Sequence, residues 1–190
     1  ERYPTNELLI VTYAPKEDLF SSVSLERLKS LRGDLEKVDG IHSIFSILDA
    51  PLFNSSDTDI QEMINNLPSL EKVGVDRVRA KKELVNSPIY RDLIVSSDGS
   101  TAALLLSLSE TKKFSELIKS RDILRMRKRN SGLTNEEAES LERITSEYNQ
   151  INKARNSKRH HDIIQIREII ESYGKYGTLH LGGLPMITDD

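Results

Sequence analysis

Histidines are the side chains of this 190-residue chain best suited by type to bind a metal or to titrate near neutral pH. His160, His161 and Asp162 are consecutive, so on a helix they radiate in different directions and cannot hold one ion together. His42 and His180 each lie in a predicted strand. If those strands are neighbours, the pair could have a pH-sensitive or metal-binding role; packing or exposure at a sheet edge is the simpler expectation.

The rest of the sequence has no pattern typical of an enzyme. It contains no cysteine, which excludes thiolate chemistry, disulfides and cysteine metal sites. Gly182 and Gly183 follow a predicted strand but precede Pro185 rather than a helix, so they do not form a phosphate-binding loop. No nucleophile elbow is present, and the 30 Asp and Glu residues are too many to identify a catalytic pair. We expect no catalytic residue, no metal and no cofactor.

Positive charge is concentrated in residues 111–161, which hold 13 Lys and Arg against 7 Asp and Glu, although the whole chain has a net charge of −3. The basic run Arg121–Arg129 could indicate nucleic acid. We instead expect it to pair with Glu136–Glu142 on an antiparallel helix, and therefore expect no nucleic acid partner. A second basic cluster has no acidic counterpart in this helix pair and could contact an acidic partner or lipid headgroups, or be a solvated face. It consists of Lys153, Arg155, Lys158 and Arg159.

The first half of the chain predicts a strand, a helix and a second strand, which form a right-handed parallel crossover. The strands are Glu7–Ala14 and Ile41–Leu48, and the helix is capped by Ser24 and ended by Gly40. Two short helices are predicted next, over residues 59–66 and 76–86. Segments 92–95 and 101–108 then predict a β-hairpin, because the Asp98-Gly99 step between them suits a tight turn.

The second half predicts two antiparallel helices that meet at Gly132. Thr134 and Glu137 have the spacing of a capping box, so the second helix begins there. Its apolar spacing resumes with a one-residue offset from Ile163 to Tyr173, so we expect one helix up to Tyr173, with a length of about 60 Å and a projecting tip. A last strand, residues 178–181, precedes a sharp structural turn made by Gly182, Gly183 and Pro185. The position of this turn leads us to expect a piece of a larger protein.

Five motifs, in this order, resemble one family. They are residues 18–21, residues 38–41 with 46–52, residues 87–91, residues 132–134 with Glu137, and residues 181–187. Together they cover nearly the whole chain and are similar to the large loop between the first and second transmembrane helices of RND-superfamily exporters of the MMPL type. The resemblance implies a periplasmic porter domain with a ferredoxin-like sheet, in a bacterial inner-membrane protein driven by proton flow. The proton-relay residues would lie in membrane helices outside this chain.

The patterns and the resemblance together predict an α+β fold. The expected porter subdomain is ferredoxin-like, with a split βαβ sheet, packed helices and a long protruding antiparallel helical hairpin. Residues 1–110 would form its first part and residues 111–160 the hairpin. Residues 161–190 would form the return helix, the last strand and the turn toward the next membrane span.

The leading functional hypothesis is a non-enzymatic porter domain for a hydrophobic or amphiphilic substrate such as a lipid. Its other partners would be the remaining periplasmic loop and the transmembrane helices of the parent. Leu52, Phe53, Met63 and Leu67 could line the substrate groove, or they could simply cover the sheet. The alternative is an assembly module whose helical hairpin docks another subunit, as in a homo-oligomer, or a periplasmic partner. A third hypothesis is a free soluble protein that binds an acidic partner through its basic face.

Overall fold

The structure is a computed structural model that describes residues 8–53, 68–72, 74–109 and 112–183. Those residues confirm the predicted α+β class, with four strands and four helices. The elements are β1 Leu8–Pro15, α1 Ser22–Leu35, β2 Ile41–Phe45, α2 Arg77–Asn86, β3 Ala102–Leu108, α3 Lys112–Asn130, α4 Asn135–Tyr173 and β4 Gly177–Gly183. No helix in the described ranges is long and apolar enough to cross a membrane.

The described residues divide into two compact units. The first contains the sheet, α1 and α2, and comprises the residues up to Leu108 and those from Ile164 onward. The second contains α3 and the part of α4 that ends at Ile163. The predicted helix over residues 59–66 lies outside the described residues.

The four strands form one antiparallel sheet in the order β2-β3-β1-β4. β1 is central and pairs with both β3 and β4, so that Tyr13 lies opposite Ala102 on one side and Leu179 on the other. β1 and β2 are each antiparallel to β3 and are therefore parallel to one another, with β3 between them. The connection from β1 through α1 to β2 is thus a parallel crossover that spans one intervening strand.

This order contradicts the expectation that His42 and His180 could meet. His42 is on β2 and His180 is on β4, and these are the two opposite edge strands of the sheet. Two strands lie between the imidazoles, so no shared metal or titration site exists. Both histidines were correctly predicted to lie in strands, but strand order depends on long-range pairing.

One face of the sheet forms the core of the first unit. Alternate residues of β1 and β3 are buried, as period-two side-chain alternation requires. The leucine stripe of α1 is also buried, together with Ile166 and Ile170 of α4. The stripe consists of Leu25, Leu28, Leu31 and Leu35, which recur at helical spacing.

The ends of α1 differ from the prediction. Ser21, not Ser24, is the N-cap, and its hydroxyl accepts a hydrogen bond from the Ser24 backbone N–H at 3.1 Å. Two serines three residues apart offer the same capping chemistry, so the sequence alone did not distinguish them. The helix also ends earlier than expected, at Leu35, and the turns that follow it lead directly into β2. Gly40 therefore does not terminate the helix.

The predicted β-hairpin is correct at its turn and wrong in its first strand. Gly99 has a φ of +70°, and the Asp98 carboxylate accepts the Ser100 N–H at 3.0 Å, as expected for a tight turn. Residues 92–95, however, form a turn of their own, because the Tyr90 carbonyl accepts three successive backbone N–H groups. Only isolated bridges remain, including one between Val95 and Ala102.

Other local predictions are confirmed. The helix expected over residues 76–86 is α2, and Asp76 caps it by accepting the N–H groups of Val78 and Arg79. Thr134 and Glu137 form a reciprocal capping box, with distances of 3.0 and 3.2 Å between backbone nitrogens and side-chain oxygens. α4 runs without a break for 39 residues. The apolar periodicity of the sequence was sufficient to predict this length.

Candidate ligand-binding groove

The structure describes two of the four predicted groove residues, Leu52 and Phe53, and these two differ in exposure. Leu52 is fully buried, and its backbone N–H donates to the Pro68 carbonyl at 2.9 Å. Leu52 has no exposed surface for a ligand to contact, so it belongs to the core. Phe53 is 57% exposed. Met63 and Leu67 lie outside the described residues.

A different groove is present in the first unit, where α1 lies beside the end of α4 and the turn that follows it. We call this the α1 groove; its volume is about 740 Å³. It is lined by Ser22, Val23, Glu26, Arg27, Ser30 and Asp34 of α1 and by Ser172, Tyr173, Lys175 and Tyr176. The side chains thus include two aromatic rings, an exposed valine, and charges of both signs.

Tyr173 lines one wall of the α1 groove and is held in place by a hydrogen bond. Its hydroxyl donates a hydrogen bond to Asp34 Oδ2 at 2.6 Å, and the side chain is 9% exposed. Burial, followed by the hydrogen bond to Asp34, raises the pKa of Tyr173 well above its usual range. Hydrogen bonds from Lys37 and then from Tyr173 lower the pKa of Asp34. Asp34 is therefore ionised at neutral pH and holds both partners.

Two positively charged side chains, Arg27 and Lys175, lie against the ring of Tyr176. The Arg27 guanidinium carbon lies 4.4 Å from the ring centroid, and Lys175 Nζ lies 4.8 Å from it. Arg27 also forms an ion pair with Glu17 at 2.6 Å. The Tyr173 and Tyr176 rings meet edge to face, with centroids 6.1 Å apart. Contacts of this kind orient aromatic rings and cations without neutralising the cations.

Tyr13, on β1, interacts electrostatically with the same arginine. Burial raises the pKa of Tyr13, while the positive charge of Arg27 opposes that rise. The side chain is 1% exposed, and no group in the described part of the chain makes a well-aligned hydrogen bond with its hydroxyl, although the Arg27 side chain lies close to it. A buried hydroxyl without a partner carries a desolvation cost.

This set of side chains suits an amphiphilic ligand. Val23, which is 51% exposed, and the two tyrosine rings offer apolar contact area. Arg27 and Lys175 could bind an anionic head group, and the nearby serine hydroxyls could bind a neutral polar one. Among the described residues, no cluster of His, Asp and Glu is suited to hold a metal ion.

The second basic cluster is only partly a solvated face. Lys153 and Lys158 are exposed, whereas Arg155 and Arg159 are half-buried. The Arg155 guanidinium carbon lies 4.4 Å from the centroid of the Phe114 ring. Burial lowers the pKa of Arg159, and the negative charge of Asp162 opposes that shift. Arg159 thus has an acidic neighbour in α4, just beyond the hairpin range of residues 111–160.

Arg155 belongs to a four-layer stack that joins α3 to α4. Phe114 and Tyr148 stack with centroids 5.3 Å apart and an interplanar angle of 17°. The Arg121 guanidinium carbon lies 3.7 Å from the centroid of the Tyr148 ring, and the Arg155 guanidinium lies over the Phe114 ring. No local sequence pattern indicated that arginines would flank these two rings.

The glycines of the predicted terminal turn lie in the sheet instead. Gly182 pairs with Ile10 and Gly183 with Leu9, so β4 continues to Gly183. Gly183 has a φ of +136°, and an added Cβ would lie 2.6 Å from the Leu8 carbonyl oxygen. This position requires glycine because of strand packing and not because of a turn. Pro185 lies outside the described residues.

The α1 groove could not have been found from local sequence patterns. Asp34 and Tyr173, which form its central hydrogen bond, are 139 residues apart in the chain. Tyr173 was recognised only as the last residue of an apolar stripe. No model of a known protein family matches this chain, and neither a curated protein nor a solved structure is significantly similar to it.

Proposed function

We propose that this chain is a periplasmic porter domain of a proton-driven inner-membrane exporter of the RND superfamily, MMPL type. Its substrate is hydrophobic or amphiphilic, with lipids as a candidate class. Its partners are the remaining periplasmic loop and the transmembrane helices of the parent protein. It performs no catalysis and acts by admitting and passing the substrate.

The strand order is the observation that supports this proposal best. The sequence resemblance implied a ferredoxin-like sheet, in which two βαβ halves are each split by a strand of the other half. In the order β2-β3-β1-β4, β3 lies between β1 and β2, and β1 lies between β3 and β4. This arrangement, with α1 in the first half and α3 and α4 in the second, supports the ferredoxin-like assignment.

The α1 groove supplies the second argument. An exporter of amphiphiles needs a surface that offers apolar contact and also tolerates a polar head group. Val23, Tyr173 and Tyr176 provide the first property, and Arg27 and Lys175 provide the second. We therefore replace the sequence-derived groove residues with this set.

Binding of a dansyl-labelled fatty acid to the isolated chain tests the groove. Val23→Asp places a charge on the apolar wall at a side chain that is already 51% exposed, so folding should be preserved. We expect this variant to bind the probe about ten-fold more weakly or worse. Val78→Asp is the matched control, because Val78 is 80% exposed on α2 and does not line the groove.

Two results would reject the groove as the substrate site. One is the absence of probe binding to the wild-type chain at concentrations below those at which the probe forms micelles. The other is equal weakening by the Val23 and Val78 substitutions, which would indicate nonspecific adsorption. Far-UV circular dichroism of each variant establishes that the fold is retained.

A further inference from the structure

We propose that the α1 groove selects amphiphiles whose head group is a carboxylate. Arg27 binds that head group, and the side chain of Glu17 competes with it for Arg27. The inference rests on the proposed function, because it names the class of amphiphile that the same groove binds and the contact that regulates binding. It gives roles to one residue that lines the groove and to one residue outside that lining.

The guanidinium of Arg27 is held from the protein side. Its carbon lies 4.4 Å from the centroid of the Tyr176 ring. The Tyr176 carbonyl accepts a hydrogen bond from the Lys16 N–H at 3.1 Å, and the next residue, Gly177, pairs with Pro15 of β1. The ring is therefore carried on backbone that is tied to the sheet. A cation supported in this way needs little further ordering when it binds an anion.

Glu17 is the more exposed member of the ion pair with Arg27. Its side chain is 50% exposed, against 26% for Arg27. The two side chains share one hydrogen bond, from Nη1 to Oε2 at 2.6 Å, and within the described residues Glu17 makes no second ion pair. A guanidinium has five N–H donors and can bind a carboxylate through two of them. A ligand carboxylate can thus replace Glu17 and make more bonds than it removes.

A buried hydroxyl beside Arg27 is a second observation that points to a ligand. Tyr13 is 1% exposed, and its hydroxyl lies close to the Arg27 side chain without a well-aligned hydrogen bond in the described part of the chain. A hydroxyl oxygen can accept a bond from a guanidinium N–H. Exchange of Glu17 for a ligand requires Arg27 to change its orientation, which allows this bond to align. The new bond would offset part of the desolvation cost of the hydroxyl.

The charge balance of the groove favours a carboxylate over a phosphate. Two acidic residues, Glu26 and Asp34, line the groove together with the cations Arg27 and Lys175. The pKa of Asp34 is lowered, so Asp34 is ionised at neutral pH. A carboxylate brings one negative charge, as Glu17 does, whereas a phosphate monoester brings up to about two near pH 7. The second charge would be repelled by the two acidic side chains.

Lys175 strengthens the attraction for a single anion. Its Nζ lies 4.8 Å from the centroid of the Tyr176 ring, against which Arg27 also lies. The two cations are therefore within about 10 Å of each other, which is about one Debye length at 0.1 M salt. Lys175 makes no ion pair within the described ranges. Val23 and Tyr173 line the same groove and can contact an alkyl chain attached to the carboxylate.

Fluorescence titration of the chain with dansylamino-undecanoic acid and with its methyl ester tests the head group. The two probes share the fluorophore and the alkyl chain and differ in negative charge. We expect the acid to bind about three-fold or more tightly than the ester, since charge-assisted hydrogen bonds are the stronger kind. Equal binding of the two probes would overturn the head-group assignment and leave the groove as a site for amphiphiles. Binding of neither probe would overturn both proposals.

Glu17→Gln tests the competition. We expect this variant to bind the acid about five-fold more tightly and the ester unchanged, because it removes the competing carboxylate. Glu36→Gln is the matched control, since Glu36 is 53% exposed, pairs with Arg32 at 3.6 Å and does not line the groove. Each substitution removes one negative charge and one ion pair to an arginine. Equal increases in both variants, or no increase in the Glu17 variant, would overturn the role of Glu17.

Arg27→Gln tests the binding residue. We expect acid binding to weaken about ten-fold while ester binding changes less than about two-fold, and the retained ester binding shows that the groove is intact. Arg79→Gln is the control, because Arg79 pairs with Asp76 at 3.5 Å and does not line the groove. Equal loss of the acid and the ester in the Arg27 variant would overturn its assignment to the head group.

Competition against the acid probe distinguishes carboxylate amphiphiles from other anions. At about pH 8 and below micelle-forming concentrations, laurate should displace the probe at lower concentration than dodecyl phosphate, which then carries nearly two charges. Acetate has no alkyl chain and should displace little of the probe. Stronger displacement by dodecyl phosphate would overturn the preference for a carboxylate. Displacement by acetate as effective as that by laurate would indicate a site for free anions and would overturn the assignment to amphiphiles.

Discussion

Removal of the hydroxyl oxygen from each of two buried tyrosines should affect the free energy of unfolding unequally. Tyr13 is 1% exposed and Tyr173 is 9% exposed, so both hydroxyls are largely removed from water. The Tyr173 hydroxyl donates to Asp34, whereas the Tyr13 hydroxyl lies close to Arg27 but makes no well-aligned hydrogen bond within the described residues. Phenylalanine at either position keeps the ring and removes only the hydroxyl.

The expected magnitudes follow from these environments. A hydrogen bond to a charged group typically contributes about 1.5 to 3 kcal/mol. The Asp34 side chain is 41% exposed, so solvent screening reduces this value, and we expect Tyr173→Phe to destabilise the fold by about 1 kcal/mol. Tyr13→Phe removes a buried hydroxyl that makes no well-aligned hydrogen bond. We expect it to be neutral or to stabilise the fold by up to about 1 kcal/mol.

Urea denaturation followed by far-UV circular dichroism measures both changes. Tyr173→Phe should also raise the pKa of Asp34, because it removes a donor that stabilises the carboxylate. Carbon-detected NMR titration can follow that carboxyl group directly. Equal destabilisation by the two substitutions, or an unchanged Asp34 titration in the Tyr173 variant, would refute the geometry assigned to the groove.

Three further predictions concern other parts of the molecule. Phe114→Leu keeps an apolar side chain but removes the ring that stacks on Tyr148 and lies under Arg155. The free energy of unfolding measured in urea should therefore fall by about 1 to 2 kcal/mol. Phe53→Leu is the control and should be neutral, because the Phe53 ring is 57% exposed. Gly183→Ala should destabilise by about 1 to 3 kcal/mol, because Gly183 has a positive φ and an added Cβ would meet a backbone oxygen at 2.6 Å. Gly182→Ala, which would meet nothing within 4 Å, should be tolerated and is its matched control in thermal melts.

The third prediction concerns the stability of the fold at low pH. Hydrogen bonds, first from Ser96 and then from Ser100, lower the pKa of Asp98 to about 2, and the pKa of Asp34 is also lowered. A carboxyl group with a lowered folded-state pKa stabilises the fold above its unfolded pKa of about 3.9 and loses that effect as pH falls through the folded value. Melting temperature should therefore drop between about pH 4 and pH 2, and the drop should be smaller in Asp98→Asn. A melting temperature independent of pH in this range would contradict the assignment.

Periodic patterns predicted the elements whose stability is local. The three-four spacing that ends at Tyr173 predicted the full 39-residue length of α4, and the Thr134–Glu137 spacing predicted its capping box. Both depend only on residues a turn or two apart. The Asp98-Gly99 turn was predictable for the same reason, since positive φ is a property of the residue itself.

Features that depend on distant residues could not be predicted. The separation of His42 and His180 follows from strand order, and the core position of Leu52 follows from its packing and its backbone bond to Pro68. Ser21 and Ser24 offered equal capping chemistry, and tertiary packing decided between them. The α1 groove joins segments from both ends of the chain, so no window of sequence contains it.

Native mass spectrometry of the chain, purified after incubation with a membrane-lipid extract, tests the central claim most directly. The claim is that the α1 groove binds a hydrophobic or amphiphilic substrate. It predicts a retained lipid or other hydrophobe on the wild-type chain and on Val78→Asp, and its loss from Val23→Asp. A ligand-free mass for the wild type, or retention that is the same in both variants, would contradict it.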